Sequence, residues 1–163
     1  MGVEVCETVP YLFRKRIMKL IELSITALIP TRAGCAVFLG AGEKVIHFFI
    51  ELQIGQAINE HLSGEVYERP MTYDMVSAMM SGHGSRLTKV IIEDCQDGVF
   101  FAKQYWQVDN ELGHRKVVAV DSRPSDAMAL SVRQDAPLYI VKEIWDAQED
   151  MTTLLNDLKS QVD

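Results

Sequence analysis

The chain has 163 residues, 48% hydrophobic and 24% charged, with a net charge of −7. That balance is ordinary for a soluble globular protein with a core of its own, and it excludes intrinsic disorder, collagen and coiled coil. The longest apolar run falls well short of the roughly 18 residues of a membrane span. The acidity gathers at the end of the chain, where residues 143–163 hold six acids against one Lys, so a basic nucleic-acid footprint is missing from the near-neutral body.

In chain order, residues 1–17 lack a regular pattern and read as an N-terminal extension, with a short basic helix over 11–17 that carries Arg14, Lys15 and Arg16. Leu20 to Ile29 alternates apolar and polar residues as a strand does. Cys35 to Leu39 and Val45 to Ile50 follow after short turns, which predicts an antiparallel meander. The period then changes. Ile54, Ala57, Ile58 and Leu62 share one helical face, and Gly64 is placed to end that helix. A second helix is expected with Thr72 as N-cap, Met71 stapling onto Val76, and a buried stripe of Met75, Val76, Met79 and Met80.

Lys89 to Cys95 and Val99 to Val108 read as a hairpin joined through Asp97-Gly98. Asn110 to Gly113 turns into a strand over Lys116 to Val120, and a helix follows over Pro124 to Val132. Leu138 to Val141 is a short strand, and the last helical part begins near Ile144. Met151, Leu154, Leu155 and Leu158 give the acidic tail an amphipathic helix, open to two readings: packing on the body or an oligomer contact. Helices in blocks between groups of strands predict an α+β fold, a mixed or antiparallel sheet with helices packed against it. The expected organisation is an extension over 1–17, one domain over 18–146 and a C-terminal helix over 147–163.

Phosphate-loop, dinucleotide-binding, zinc-protease and nucleophile-elbow motifs are all missing. The histidines His47, His61, His83 and His114 have no metal-ligand spacing, and Cys6, Cys35 and Cys95 form no CxxC pair. These cysteines, with no basic start leading into an apolar leader, fit a reducing cytoplasm.

The densest polar constellation is Asp121-Ser122-Arg123-Pro124-Ser125-Asp126-Ala127, where an apolar strand feeds a helix. Backbone N–H groups and the positive end of the helix dipole converge at such a junction. Pro124 suits the first helical turn, and Arg123 can pair bidentately with a carboxylate. One reading is structural: a serine caps the helix and Arg123 bridges to Asp121 or Asp126. The other is chemical: Asp121 and Asp126 share a divalent cation such as Mg or activate water, while Arg123 holds a phosphate.

The block Asp121 to Ala127 followed by Ala129-Leu130, then Ala136-Pro137-Leu138-Tyr139-Ile140-Val141, resembles the signature of the bifunctional nuclease family. Arg69-Pro70-Met71-Thr72-Tyr73-Asp74 and Asp97-Gly98-Val99-Phe100-Phe101-Ala102 resemble it too, and the likeness runs from about Leu20 to Ile144. It implies a small α+β domain that cleaves DNA and RNA with low sequence specificity, with Asp121, Arg123, Ser125 and Asp126 as candidate catalytic residues. It also implies Arg69 and Asp74 as substrate-binding residues, and weak contact with DNA or RNA. Two positions depart from the family pattern: Ile54 stands where an acid is expected, with Glu51 three residues earlier, and Tyr73 stands where a His is expected. Those departures keep a second expectation open, a catalytically weak or inactive relative that acts as a regulatory or interaction protein. A homo-oligomer is expected under either.

Overall fold

Strand alternation near the start of the chain builds the meander first. The computed structural model of the chain describes residues 3–5, 18–109 and 115–160. Its strands are β1 (Val3–Val5), β2 (Leu20–Thr31), β3 (Gly34–Ala41), β4 (Lys44–Ile50), β5 (Ser85–Gln96), β6 (Val99–Asp109), β7 (Arg115–Ser122) and β8 (Leu138–Val141). Its helices are α1 (Leu52–Leu62), α2 (Thr72–Gly82), α3 (Pro124–Arg133), α4 (Lys142–Ala147) and α5 (Thr152–Ser160). The strands form one eight-stranded sheet in the order β1-β7-β6-β5-β8-β2-β3-β4. The sheet is mixed: β5 and β8 run parallel, and the other pairs are antiparallel. The α+β expectation therefore holds.

The hairpin of β5 and β6 turns at Asp97 and Gly98, both at positive φ (50° and 80°), as a two-residue turn matched to the sheet's twist requires. Of residues 1–17, the described part is the backbone of Val3–Val5, which pairs with β7. The basic helix expected over 11–17 and the turn expected over 110–113 lie outside the described residues.

The main core lies between the sheet and the helices. Val37, Leu39, Ile46, Ile54, Ile58, Val90, Ile92, Met128 and Ile140 are fully or nearly fully buried in it. Helix α3 is its centre, with Ala127, Met128 and Ala129 at 0% exposure. Small residues there let the helix lie close to its neighbours. Strand β3 is buried on both faces, because α5 covers the side opposite α1 through Leu155 on Ala36 and Phe38. The tail helix thus packs on the body, tied by Met151 N–H to the Val45 carbonyl (2.7 Å) and by Lys44 to the carbonyls of Trp145 and Gln148.

Helix α1 approaches β3 closely. A Cβ on Gly55 would stand 2.5 Å from Cys35 Sγ, so glycine sets that distance and with it the seat of Glu51, one turn earlier.

Helix α2 departs from expectation. Its N-cap is Met71 rather than Thr72, and the Asp74 carboxylate accepts the Met71 N–H at 2.9 Å. Asp74 thus reaches back to the N–H just ahead of the helix, whereas the expected Thr72 hydroxyl would take an N–H within the first turn. Met75 and Met79 are 49% and 56% exposed. The inward side is Tyr73, Val76 and Met80, which pack on the main core. Apolar spacing alone does not say which half of a Met-rich stripe faces inward.

Candidate active site

Two strand-to-helix junctions meet. One is the end of β7 entering α3, with Arg123 as N-cap and Pro124 in the first turn. The other is the end of β4 entering α1, with Glu51 as N-cap. Arg123 forks onto Asp126, donating from Nε to Oδ2 at 2.6 Å and from Nη2 to Oδ1 at 3.2 Å. Its Nη1 donates to Glu51 Oε1 at 2.7 Å, across 72 residues of sequence. The Tyr73 hydroxyl donates to Asp126 Oδ1 at 2.6 Å. The cluster is Glu51–Arg123–Asp126–Tyr73, assembled from α1, α2 and α3.

Its electrostatics follow from these contacts. Burial opposes the charge on Asp126, but hydrogen bonds from Arg123 and Tyr73 outweigh it and hold the carboxyl below the ordinary range. Burial and the neighbouring Asp126 charge push the Tyr73 phenol far upward, so it stays protonated. Arg123 is stabilised as a cation by Asp126 and then Glu51. The Arg123 and Glu51 side chains are 58% and 63% exposed. Three of the five guanidinium N–H donors are engaged, which leaves two for another acceptor.

Clefts open on both sides of the Glu51–Arg123 bridge. One, of about 350 Å³, is lined by Phe48, Phe49, Val99, Phe100, Pro124 and Ser125 besides the pair itself. The other, of about 510 Å³, is lined by Gln53, Gln56, Glu60, Thr72 and Tyr73 among others.

The candidate residues from the sequence divide accordingly. Arg123 and Asp126 are together, and Ser125, nearly buried on the first turn of α3, lines the smaller cleft. Asp121 is not brought in. Val120 and Ser122 face the core side of β7, so the alternation of the strand turns Asp121 to the other face, exposed and opposite Lys103 in the ladder. Arg69 is exposed on the α1–α2 connection and makes no hydrogen bond or ion pair among the described residues. Asp74 belongs to a different pair, bonding to Arg133 Nε at 2.5 Å.

Glu51 and Tyr73 are the residues that sequence reasoning placed outside the site. A signal for Glu51 was present: like Arg123, it is the last residue between a strand and a helix. For Tyr73 the signal was its place in the Arg69 to Asp74 block.

The arrangement does not fit the shared divalent cation expected between Asp121 and Asp126. Those two carboxylates are on opposite faces, and the oxygens of Asp126 already accept from Arg123 and Tyr73. Between Glu51 and Asp126 the guanidinium itself takes the bridging place. No group of three or more His, Cys, Asp or Glu side chains able to hold a metal ion occurs among the described residues.

Residues 37–152, most of the chain and both junctions included, match the family described as the bifunctional nuclease domain. The chain belongs to the bifunctional nuclease domain family. Within the curated proteins it is similar to "Uncharacterized protein MT1877" and "Uncharacterized protein Rv1829" from two strains of Mycobacterium tuberculosis, 27% identical to each over 103 residues. Those 103 residues are 63% of this chain and 58% of each relative, so the chain spans less than two thirds of the relatives it matches. The matched stretch contains Glu51, Arg123 and Asp126. Among the described residues, no helix is long and apolar enough to cross a membrane.

Proposed function

We propose that the chain hydrolyses phosphodiester bonds of DNA and/or RNA with low sequence specificity, at the Glu51–Arg123–Asp126 cluster. The observation that carries this reading is an exposed guanidinium with two N–H donors to spare, flanked by an exposed carboxylate and bordered by clefts on both sides. The remaining donors of Arg123 hold a phosphate oxygen. Glu51 takes a proton from the attacking water as its oxygen bonds to phosphorus. The ester P–O bond breaks, the leaving oxygen takes its proton from solvent, and Arg123 stabilises the added negative charge. Asp126 and Tyr73 hold the guanidinium in place. One phosphate contact reads no base, which accounts for the low specificity, and a near-neutral body makes the contact weak and salt-sensitive. The free thiols of Cys35 and Cys95 suit a reducing cytoplasm.

Two observations favour a second reading, a regulatory or interaction homo-oligomer with little activity. Tyr73 keeps its proton, so it does not replace an acid–base His. Leu62, Val66, Tyr67, Met71, Met75 and Met79 expose apolar surface from the end of α1 through α2.

The two readings separate on incubating purified protein with plasmid DNA and with RNA beside identically purified Arg123→Ala. Cleavage by the wild type and about 100-fold less by the variant is expected. Equal cleavage by both rejects the site, and a stable oligomer with no cleavage supports the second reading.

A further inference from the structure

We infer that the scissile phosphate sits in the smaller cleft, on the uncapped start of α3, with Ser125 as a substrate-binding residue beside Arg123. This rests on the nuclease reading and assigns the side of the Glu51–Arg123 bridge on which the phosphate lies.

A helix start leaves backbone N–H groups without intrahelical partners, and a Ser, Thr, Asp or Asn at the N-cap commonly accepts from one of them. Here the N-cap is Arg123, whose side chain has donors only, and no side chain caps the helix. Neither serine of the junction takes the capping role that the structural reading of the sequence gave it. Pro124 has no N–H. The first hydrogen bond of the helix runs from the Ala127 N–H to the Arg123 carbonyl at 3.1 Å. The N–H groups of Ser125 and Asp126 are left without an acceptor among the described residues.

A second observation is independent of the helix end. Ser125 is 9% exposed and lines the smaller cleft beside Arg123 and Pro124. Its hydroxyl makes no hydrogen bond among the described residues. Ser131, also buried on α3, gives its hydroxyl to the Ala136 carbonyl at 2.7 Å. A buried hydroxyl without a partner costs free energy, and a ligand oxygen in the cleft supplies the partner.

The unspent donors thus gather on three neighbouring residues: two N–H of the Arg123 guanidinium, the Ser125 hydroxyl, and the backbone N–H groups of Ser125 and Asp126. A phosphate brings several acceptor oxygens, and the positive end of the helix favours its charge. The carboxylate bordering this cleft is Glu51, where a base is wanted, while Asp126 is held by Arg123 and Tyr73 and lines neither cleft. The larger cleft adds a second carboxylate, Glu60, and its Tyr73 hydroxyl is already given to Asp126. A seat that touches phosphate oxygens but no sugar or base serves DNA and RNA alike.

The test titrates ¹⁵N-labelled protein with sodium phosphate, against sodium chloride at equal ionic strength, and follows the amide resonances. Cleavage kinetics of a DNA oligonucleotide carrying a fluorophore and a quencher are measured in parallel. Phosphate is expected to move the Ser125 and Asp126 amides and to leave those of Gln53 and Gln56, at the larger cleft, in place. Ser125→Ala is expected to weaken phosphate binding about tenfold, the scale of a lost hydrogen bond to a charged group. Its KM should rise by a similar factor with kcat little changed, the mark of an interaction made equally before and during reaction. The wild-type titration needs no variant, so it decides the matter even if Ser125→Ala folds poorly.

Phosphate that moves the Gln53 and Gln56 amides instead, or moves no amide more than chloride does, overturns the seat. So does a Ser125→Ala protein with unchanged phosphate affinity and KM. Arg123-dependent cleavage with the Ser125 amide unmoved overturns the seat and leaves the nuclease reading standing. Ser125-dependent phosphate binding without cleavage upholds the seat and overturns the nuclease reading.

Discussion

Helix α3 carries an arginine at each end, and the two have opposite fates. Arg133, on the last turn, has a side chain only 5% exposed. It bonds to Asp74, to the carbonyl of Ala129 at 3.0 Å and to that of Ala57 at 3.2 Å, and its guanidinium lies over the Tyr73 ring. Arg123, at the N-cap, faces two carboxylates but stands 58% exposed between two clefts. Both are arginine–carboxylate pairs joining helices. Each engages three of its five N–H donors; burial seals Arg133 into the fold as a structural tie, whereas exposure leaves the remaining donors of Arg123 open to a ligand. Asp74, expected as a substrate-binding residue, belongs to the first pair. It clamps α2 onto α3 and caps α2.

The comparison is sharpest in activity. Glu51→Gln is expected to slow cleavage about 100-fold or more, the scale of a lost general base. Its folding stability should fall by no more than about 1 kcal/mol, because the Glu51–Arg123 pair is exposed. Rate assays beside a thermal melt check this, and a large loss of stability with unchanged rate would reverse the roles assigned to the two ends of α3.

Arg133→Ala should do the opposite. Removing it strips Asp74 of its charged partner and the Ala129 and Ala57 carbonyls of a donor each. The expected cost is about 3 kcal/mol, the low end for a buried pair because Asp74 is partly wetted. That corresponds to a drop of roughly 10 °C in melting temperature. Cleavage measured well below the new midpoint should change less than in Glu51→Gln.

A smaller effect is expected with pH. Burial opposes the charge on both Asp74 and Asp126, but their arginine partners and other donors hold both carboxyls below the ordinary range. Groups lowered in the folded state add stability above their unfolded pKa, near 3.9, and lose it as pH falls through the folded value. The melting temperature should therefore stay level above about pH 5 and fall below about pH 4. Asp74→Asn should start lower at neutral pH and fall less steeply, as melts across a pH series will show.

The smallest effect is expected at Asp121. Asp121→Asn should leave both cleavage rate and melting temperature within error, since the side chain is exposed on the sheet face away from Arg123. A rate loss on the scale of Glu51→Gln would bring Asp121 back into the site.

Much of the fold was legible in local pattern. The meander, the Asp97-Gly98 hairpin, α1, α3 and β8 lie within a few residues of their expected places. Alternation, 3.6-residue periodicity and turn chemistry are local signals, and they are strong here. The site was legible only on one side. The Arg123–Asp126 fork spans three residues and follows from a helix start. The Glu51 contact depends on how closely α1 lies on β3, which the Gly55–Cys35 approach sets. Asp121 lies apart from Arg123 for a related reason. Nearness in sequence suggested a shared site, while strand alternation separates residues 121 and 122 onto opposite faces.

The sequence by itself determined the order of strands and helices from Leu20 onward, the junction block and the family. Only the tertiary structure decided which carboxylates meet Arg123, and which arginine is sealed and which is open. Periodicity is a property of neighbouring residues, whereas partner choice and burial depend on how distant elements pack.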